Sequence, residues 1–138
     1  MMREFALASH ILCVALGTGL SFSNLVNVFL AQGRKGDFAM ALALQRRTVA
    51  RIGDGILTFI WLSGLTLLWL ADWPFTLLIG LKIAAVVLLT GNHVMSRRVA
   101  GIMFRTKNPA LLNRLGIFIG GVFLWAVVAI ILAVFGFE

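Results

Sequence analysis

Charge is scarce in this chain. Among 138 residues there are 12 lysines and arginines and only 5 aspartates and glutamates, so 12% are charged while 61% are hydrophobic. A soluble domain carries about 25% charged and about 45–50% apolar residues. That contrast, with a mean hydropathy of +1.02, excludes an ordinary soluble globule and indicates an integral membrane protein. Cysteine is nearly absent. Cys13 stands alone inside an apolar run, which excludes a disulfide framework and a Cys-x-x-Cys metal pair. Low-complexity linkers are missing too, and residues 1–138 are expected to form a single transmembrane domain.

Long apolar runs are present. Four of them, near residues 5–31, 52–71, 75–96 and 115–136, each have about the twenty residues that a spanning helix needs. The first is too long for a secretion signal, contains His10, and lacks a small-x-small cleavage site after a short apolar core, so it is expected to remain as a helix. The expected fold class is all-α, an integral membrane four-helix bundle. Residues 37–51 are rich in alanine and leucine without Gly or Pro, with Asp37 as a candidate N-cap. The second helix is therefore predicted to begin near residue 38, ahead of its span. Pro74 suits the first turn of the third helix, where its missing N–H costs nothing.

The net charge of +7 would suggest nucleic acid in a soluble protein, but its placement has another cause. Arg34, Lys35, Arg46, Arg47 and Arg51 separate the first two spans, and Arg97, Arg98, Arg105, Lys107 and Arg114 separate the last two. The link between spans two and three has no basic residue and is flanked by Trp69 and Trp73, as expected of an interface. The positive-inside rule then puts both basic loops in the cytoplasm, and both termini on the outer (periplasmic) side of a bacterial inner membrane. The expected partner is the lipid bilayer, with anionic headgroups near the basic loops, and no nucleic acid.

Polar residues within the spans are the candidates for function. His10, Gly17, Ser21 and Asn24 share one stripe of the first span, as in a helix-packing seam. Gly116, Gly120 and Gly121 suggest close packing of the fourth. Lys82 and His93 share a face of the third span but stand roughly 16 Å apart along it. If the first and third helices both start outside, His10 lies about 8 Å and Lys82 about 12 Å below their outer ends, whereas His93 lies about 28 Å along. A metal joining His10 to His93 is thereby excluded, and His10 is expected to face Lys82. His93 and Asn92 are expected beside Asp54 or Asn27 at the inner rim, with Arg51 as an ion-pair partner for Asp54 one turn away. Lys82 reads either as a snorkelling residue or as part of an iron or tetrapyrrole site at His10. In such a site it would act as a second axial ligand or as the partner of a propionate.

An early histidine in the first span, the stretch Ile60-Trp-Leu-Ser-Gly64-Leu-Thr-Leu-Leu68, and a third span of the form Lys82-x10-His93 resemble the HemJ-type protoporphyrinogen oxidases and the related CopD-like small membrane proteins. The resemblance implies a haem b, with His10 and Lys82 as the essential pair and the metal-binding residues. Ser21 and Asn24 on the same stripe as His10 are candidates for contact with the cofactor. The expected function is binding of haem b or a porphyrin between helices one and three, for electron transfer or porphyrin oxidation. If the protein is an enzyme, it is expected to be an oxidoreductase acting on a porphyrinogen. Copper import, the CopD-like role, would need a Met or His cluster, and Met1, Met2, Met40, Met95 and Met103 form none. Two alternatives remain: a non-catalytic accessory or assembly subunit of a larger membrane complex, and a small-solute or metal transporter, for which a homo-oligomer is expected.

Overall fold

A computed structural model describes residues 1–73 and 76–134. Four helices account for nearly all of them: α1 (Met2–Ala31), α2 (Gly36–Leu70), α3 (Leu77–Thr106) and α4 (Leu111–Val134). No strand occurs among the described residues. Each helix is long and apolar enough to cross a membrane, as an integral membrane protein requires. Pro74 and the residues after Val134 lie outside the described residues, so the proline's expected position at the start of α3 and the outermost end of the fourth span do too.

The helices outrun their apolar windows. α2 begins at Gly36 with Lys35 as its N-cap, and Asp37 sits in the first turn rather than at the cap. α3 continues ten residues beyond the expected span, to a left-handed Lys107. The physical reason is that hydropathy marks the hydrocarbon-sized portion of a helix, whereas hydrogen bonding and propensity carry the helix on until the chain must turn. Thr76 caps α3 by accepting a hydrogen bond from the Ile79 N–H, which satisfies one of the orphan donors of the first turn.

α1 packs closely on α2 and α4, and α4 packs closely on α3. α2 meets α3 through side chains: the Trp61 indole N–H donates to Thr90 Oγ1 at 3.0 Å, and the Arg47 guanidinium lies 5.5 Å from the centroid of the Phe104 ring. The ring of contacts therefore runs α1, α2, α3, α4, with α1 and α3 on opposite corners. α4 can approach both of its neighbours because it presents glycines to them. A Cβ on Gly116 would stand 3.1 Å from Val28 of α1, and one on Gly121 would overlap the Asn92 amide of α3. The expected close packing at these glycines is thus observed on two sides of α4.

The best-packed core joins Val28, Val99, Leu115 and Ile119 and lies toward the end that carries the two basic loops. Large apolar side chains elsewhere point outward, among them Phe5, Leu12, Leu16, Phe59, Leu62, Val87, Ile117 and Leu124. An exposed apolar belt of this extent would be a liability in water and fits a lipid surround.

Candidate functional site

α2 receives both histidines of the chain, one in each half. On α1, His10 turns toward Ser63 and Gly64, and its Nδ1 is 2.8 Å from Ser63 Oγ. The same hydroxyl lies 2.6 Å from the Phe59 carbonyl and donates to it. A serine has a single proton to give. With that proton on the Phe59 carbonyl, Ser63 accepts from His10 Nδ1–H, and the imidazole is held as the tautomer whose lone pair is on Nε2. His10 also has a backbone hydrogen bond with Ile60. Gly64 makes the approach possible, since a Cβ there would stand 3.4 Å from His10 Cε1.

The other half repeats the packing with different chemistry. His93 of α3 lies over Gly53, whose added Cβ would stand 3.4 Å from His93 Cε1. Its Nε2 is 2.6 Å from Asp54 Oδ1, and Arg97 is 3.2 Å from the other carboxylate oxygen. Asp54 thus pairs with two residues of α3 and not with Arg51, as the sequence had suggested. The short step back along α2 competes poorly with two donors that α3 delivers from across the seam at successive turns. The side chain of His93 is 15% exposed and that of Asp54 46% exposed, so the pair leads from the interior to the surface.

The register of these contacts gives the heights of the remaining candidates. His10 opposite Ser63, with Asn27 bonded to Gln45 and Arg46, fixes α1 against α2. Asp54 opposite His93 and Trp61 opposite Thr90 fix α2 against α3. On that register, Lys82 sits about one turn, roughly 6 Å, beyond the level of His10 toward the end that carries the N-terminus. It lies on the stripe of Ala85, Leu89, His93 and Ser96, which is the inward stripe of α3, and is half-buried. No hydrogen bond or ion pair to Lys82 occurs among the described residues.

Ser21 and Asn24 belong to a different place. With His93, Ser96, Thr18 and Gly53 they line an interior cavity of about 80 Å³, which neither His10 nor Lys82 lines. Ser21 spends its hydroxyl on the Gly17 carbonyl at 2.7 Å. The Asn24 amide oxygen is buried and has no hydrogen-bond partner. No group of three or more His, Cys, Asp or Glu that could hold a metal occurs among the described residues, so any metal site here has to be completed by other donors or by the metal's own cofactor ligands.

Ser63, Gly64 and Gly53 were not legible as partners from the sequence. A serine and a glycine in a membrane helix read as packing residues, and only the register shows that each glycine stands beneath an imidazole. Nor was the Asn27–Gln45–Arg46 network legible. Arg46 Nη1 donates to Asn27 Oδ1 at 2.6 Å and Asn27 Nδ2 to Gln45 Oε1 at 2.9 Å, with Arg46 itself buried. Compared with known proteins, the chain matches no family model, no curated protein and no solved structure.

Proposed function

We propose that the protein binds haem b or a related porphyrin in the half of the bundle that holds His10, for electron transfer or porphyrin oxidation. The observation that supports it is the 2.8 Å hydrogen bond between His10 Nδ1 and Ser63 Oγ. Histidines that ligate metals are commonly oriented by a hydrogen bond from the ring nitrogen that does not bind the metal, and here Ser63 is placed to accept that bond from Nδ1. A bound haem would supply one-electron chemistry. His10 would hold its iron through an imidazole nitrogen. Lys82, half-buried on the inward stripe of α3 and within about one turn of the same height, would act as a neutral second ligand or, as an ammonium, hold a propionate. The residues of the resemblance, His10 and Lys82-x10-His93, point the same way.

The donors fit such a group, but the interior cavity does not. Its volume of about 80 Å³ is far below the roughly 300–1,000 Å³ of sites that enclose drug-sized ligands. A tetrapyrrole would therefore have to be held outside that cavity. In this proposal the basic loops face the cytoplasm of a bacterial inner membrane, which puts His10 and Lys82 in the outer leaflet.

An absorbance spectrum of the protein purified with haem available is the direct test. A Soret band that His10→Ala removes supports the proposal, and a porphyrinogen-oxidation assay on Lys82→Ala then separates an oxidase from an electron carrier. The same small cavity favours a second function, that of an accessory or assembly subunit of a larger membrane complex. A folded, colourless protein that co-purifies tightly with a partner would support that alternative over the first.

A further inference from the structure

The cavity and the His93–Asp54 pair meet at His93, which lines the one and belongs to the other, and haem binding leaves both unused. At the cavity's inner end stands Asn24, whose buried amide oxygen has no donor. With no protein donor to that oxygen, a partner from elsewhere is needed. The cavity of about 80 Å³ beside it has room for several waters, each of which needs about 10–15 Å³ of such volume and two or more polar partners. Thr18, Ser21, Asn24, His93 and Ser96 are the polar members of a mostly apolar lining, and the three hydroxyls, which already donate to the Val14, Gly17 and His93 carbonyls, are left as acceptors. At the cavity's outer end, His93 Nε2 meets Asp54, and Asp54 is close to half exposed on the side of the basic loops.

We propose that this cavity is a hydrated proton inlet, loaded from the basic-loop side through Asp54 and His93. The carboxylate of Asp54 takes a proton from water and exchanges it with His93 Nε2. A proton accepted there is matched by one released from the other ring nitrogen to cavity water, so the imidazole is neutral before and after. Asn24 anchors the inner water, and the apolar Ile119 and Val122 of α4 close the far wall. The groups facing His93 are Asp54 from α2 and Arg97 from its own helix; α1 and α4 present no charged residue to the cavity. Arg97 holds the second oxygen of Asp54 and so aims the first at the imidazole, which makes it a positioning residue. The inlet does not depend on a haem at His10.

Two measurements test it. In the unmodified protein in phosphatidylcholine bilayers, magnetisation transferred from water in solid-state NMR should reach the Asn24 amide and the His93 ring; a dry cavity, with no transfer to Asn24, overturns the proposal. The second uses Asn24→Asp to place a carboxyl at the inner end, with its infrared C=O band followed after a jump in bulk pH. The band should follow the jump, and adding Asp54→Asn or His93→Gln should slow it by about a hundredfold, the low end of what a positioned acid–base group contributes. An unchanged rate in both double variants, or a carboxyl blind to bulk pH, overturns the relay. Should Asn24→Asp fail to fold, the water-transfer measurement on the unmodified protein decides alone.

Discussion

His10 and His93 press the same edge of the imidazole onto α2, over Gly64 and Gly53 respectively, at the same 3.4 Å from where a Cβ would stand. What differs is the neighbour of each glycine. Ser63 gives His10 a neutral acceptor whose own proton is already committed to the Phe59 carbonyl, while Asp54 gives His93 a carboxylate that Arg97 also holds. A small residue sets how near an imidazole can come to a neighbouring helix. The polar residue beside it sets whether that imidazole is bonded to a neutral hydroxyl or to a carboxylate. Two residues of α2, repeated nine to eleven positions apart, therefore give the two halves of the bundle different chemistry on one packing scheme.

The contrast can be broken most severely by deleting each ring in turn. His10→Ala should abolish retention of a tetrapyrrole, and His93→Ala should leave it, as read from the absorbance of the purified variants; equal loss from both would erase the distinction. Bulk comes next. Gly64→Leu and Gly53→Leu should each destabilise the bundle by about 1–3 kcal/mol through overpacking, as measured by thermal unfolding in detergent. Alanine at either position makes an ordinary contact, and helix propensity favours it over glycine by about 1 kcal/mol. Gly64→Ala and Gly53→Ala are therefore expected to be neutral or stabilising.

Smaller effects sharpen the electrical difference. Ser63→Ala removes the acceptor for His10 and should cost about 1 kcal/mol, with no dependence on ionic strength. Asp54→Asn disrupts a pair that is partly open to solvent and should cost about 0.2–1 kcal/mol, a loss that shrinks as salt is added. Unfolding of the two variants in low and high salt distinguishes these outcomes. Trp61→Phe should have a similarly small effect, about 0.5 kcal/mol, because Thr90 keeps its hydrogen bond to the Val86 carbonyl at 2.7 Å.

Much of the frame was legible beforehand, and particular residues show why. The four apolar runs gave four helices because a bilayer-length window of leucine, valine and phenylalanine has few other folded outcomes. The stripe of His10, Gly17, Ser21 and Asn24 proved to face the bundle: Gly17 meets Ile56, Ser21 and Asn24 line the cavity, and His10 meets α2. Depth put His93 level with Asp54 or Asn27, and of these it is Asp54 that it bonds. The stripe did not reveal that its ends serve different places. Ser21 and Asn24 are roughly 16–21 Å from His10 along α1, so a common face did not make a common site.

Composition and hydropathy alone determined that the chain is helical, apolar on its outside and built to span a membrane, because those properties sum over twenty residues and tolerate exchange at any one. The partners of individual side chains were decided by tertiary structure. Whether Asp54 bonds Arg51 or reaches His93, and whether His10 finds a hydroxyl or a methyl, depends on helix order and a register accurate to one turn. A one-turn slip would leave every hydropathy window unchanged, yet it would exchange every polar contact in the interior.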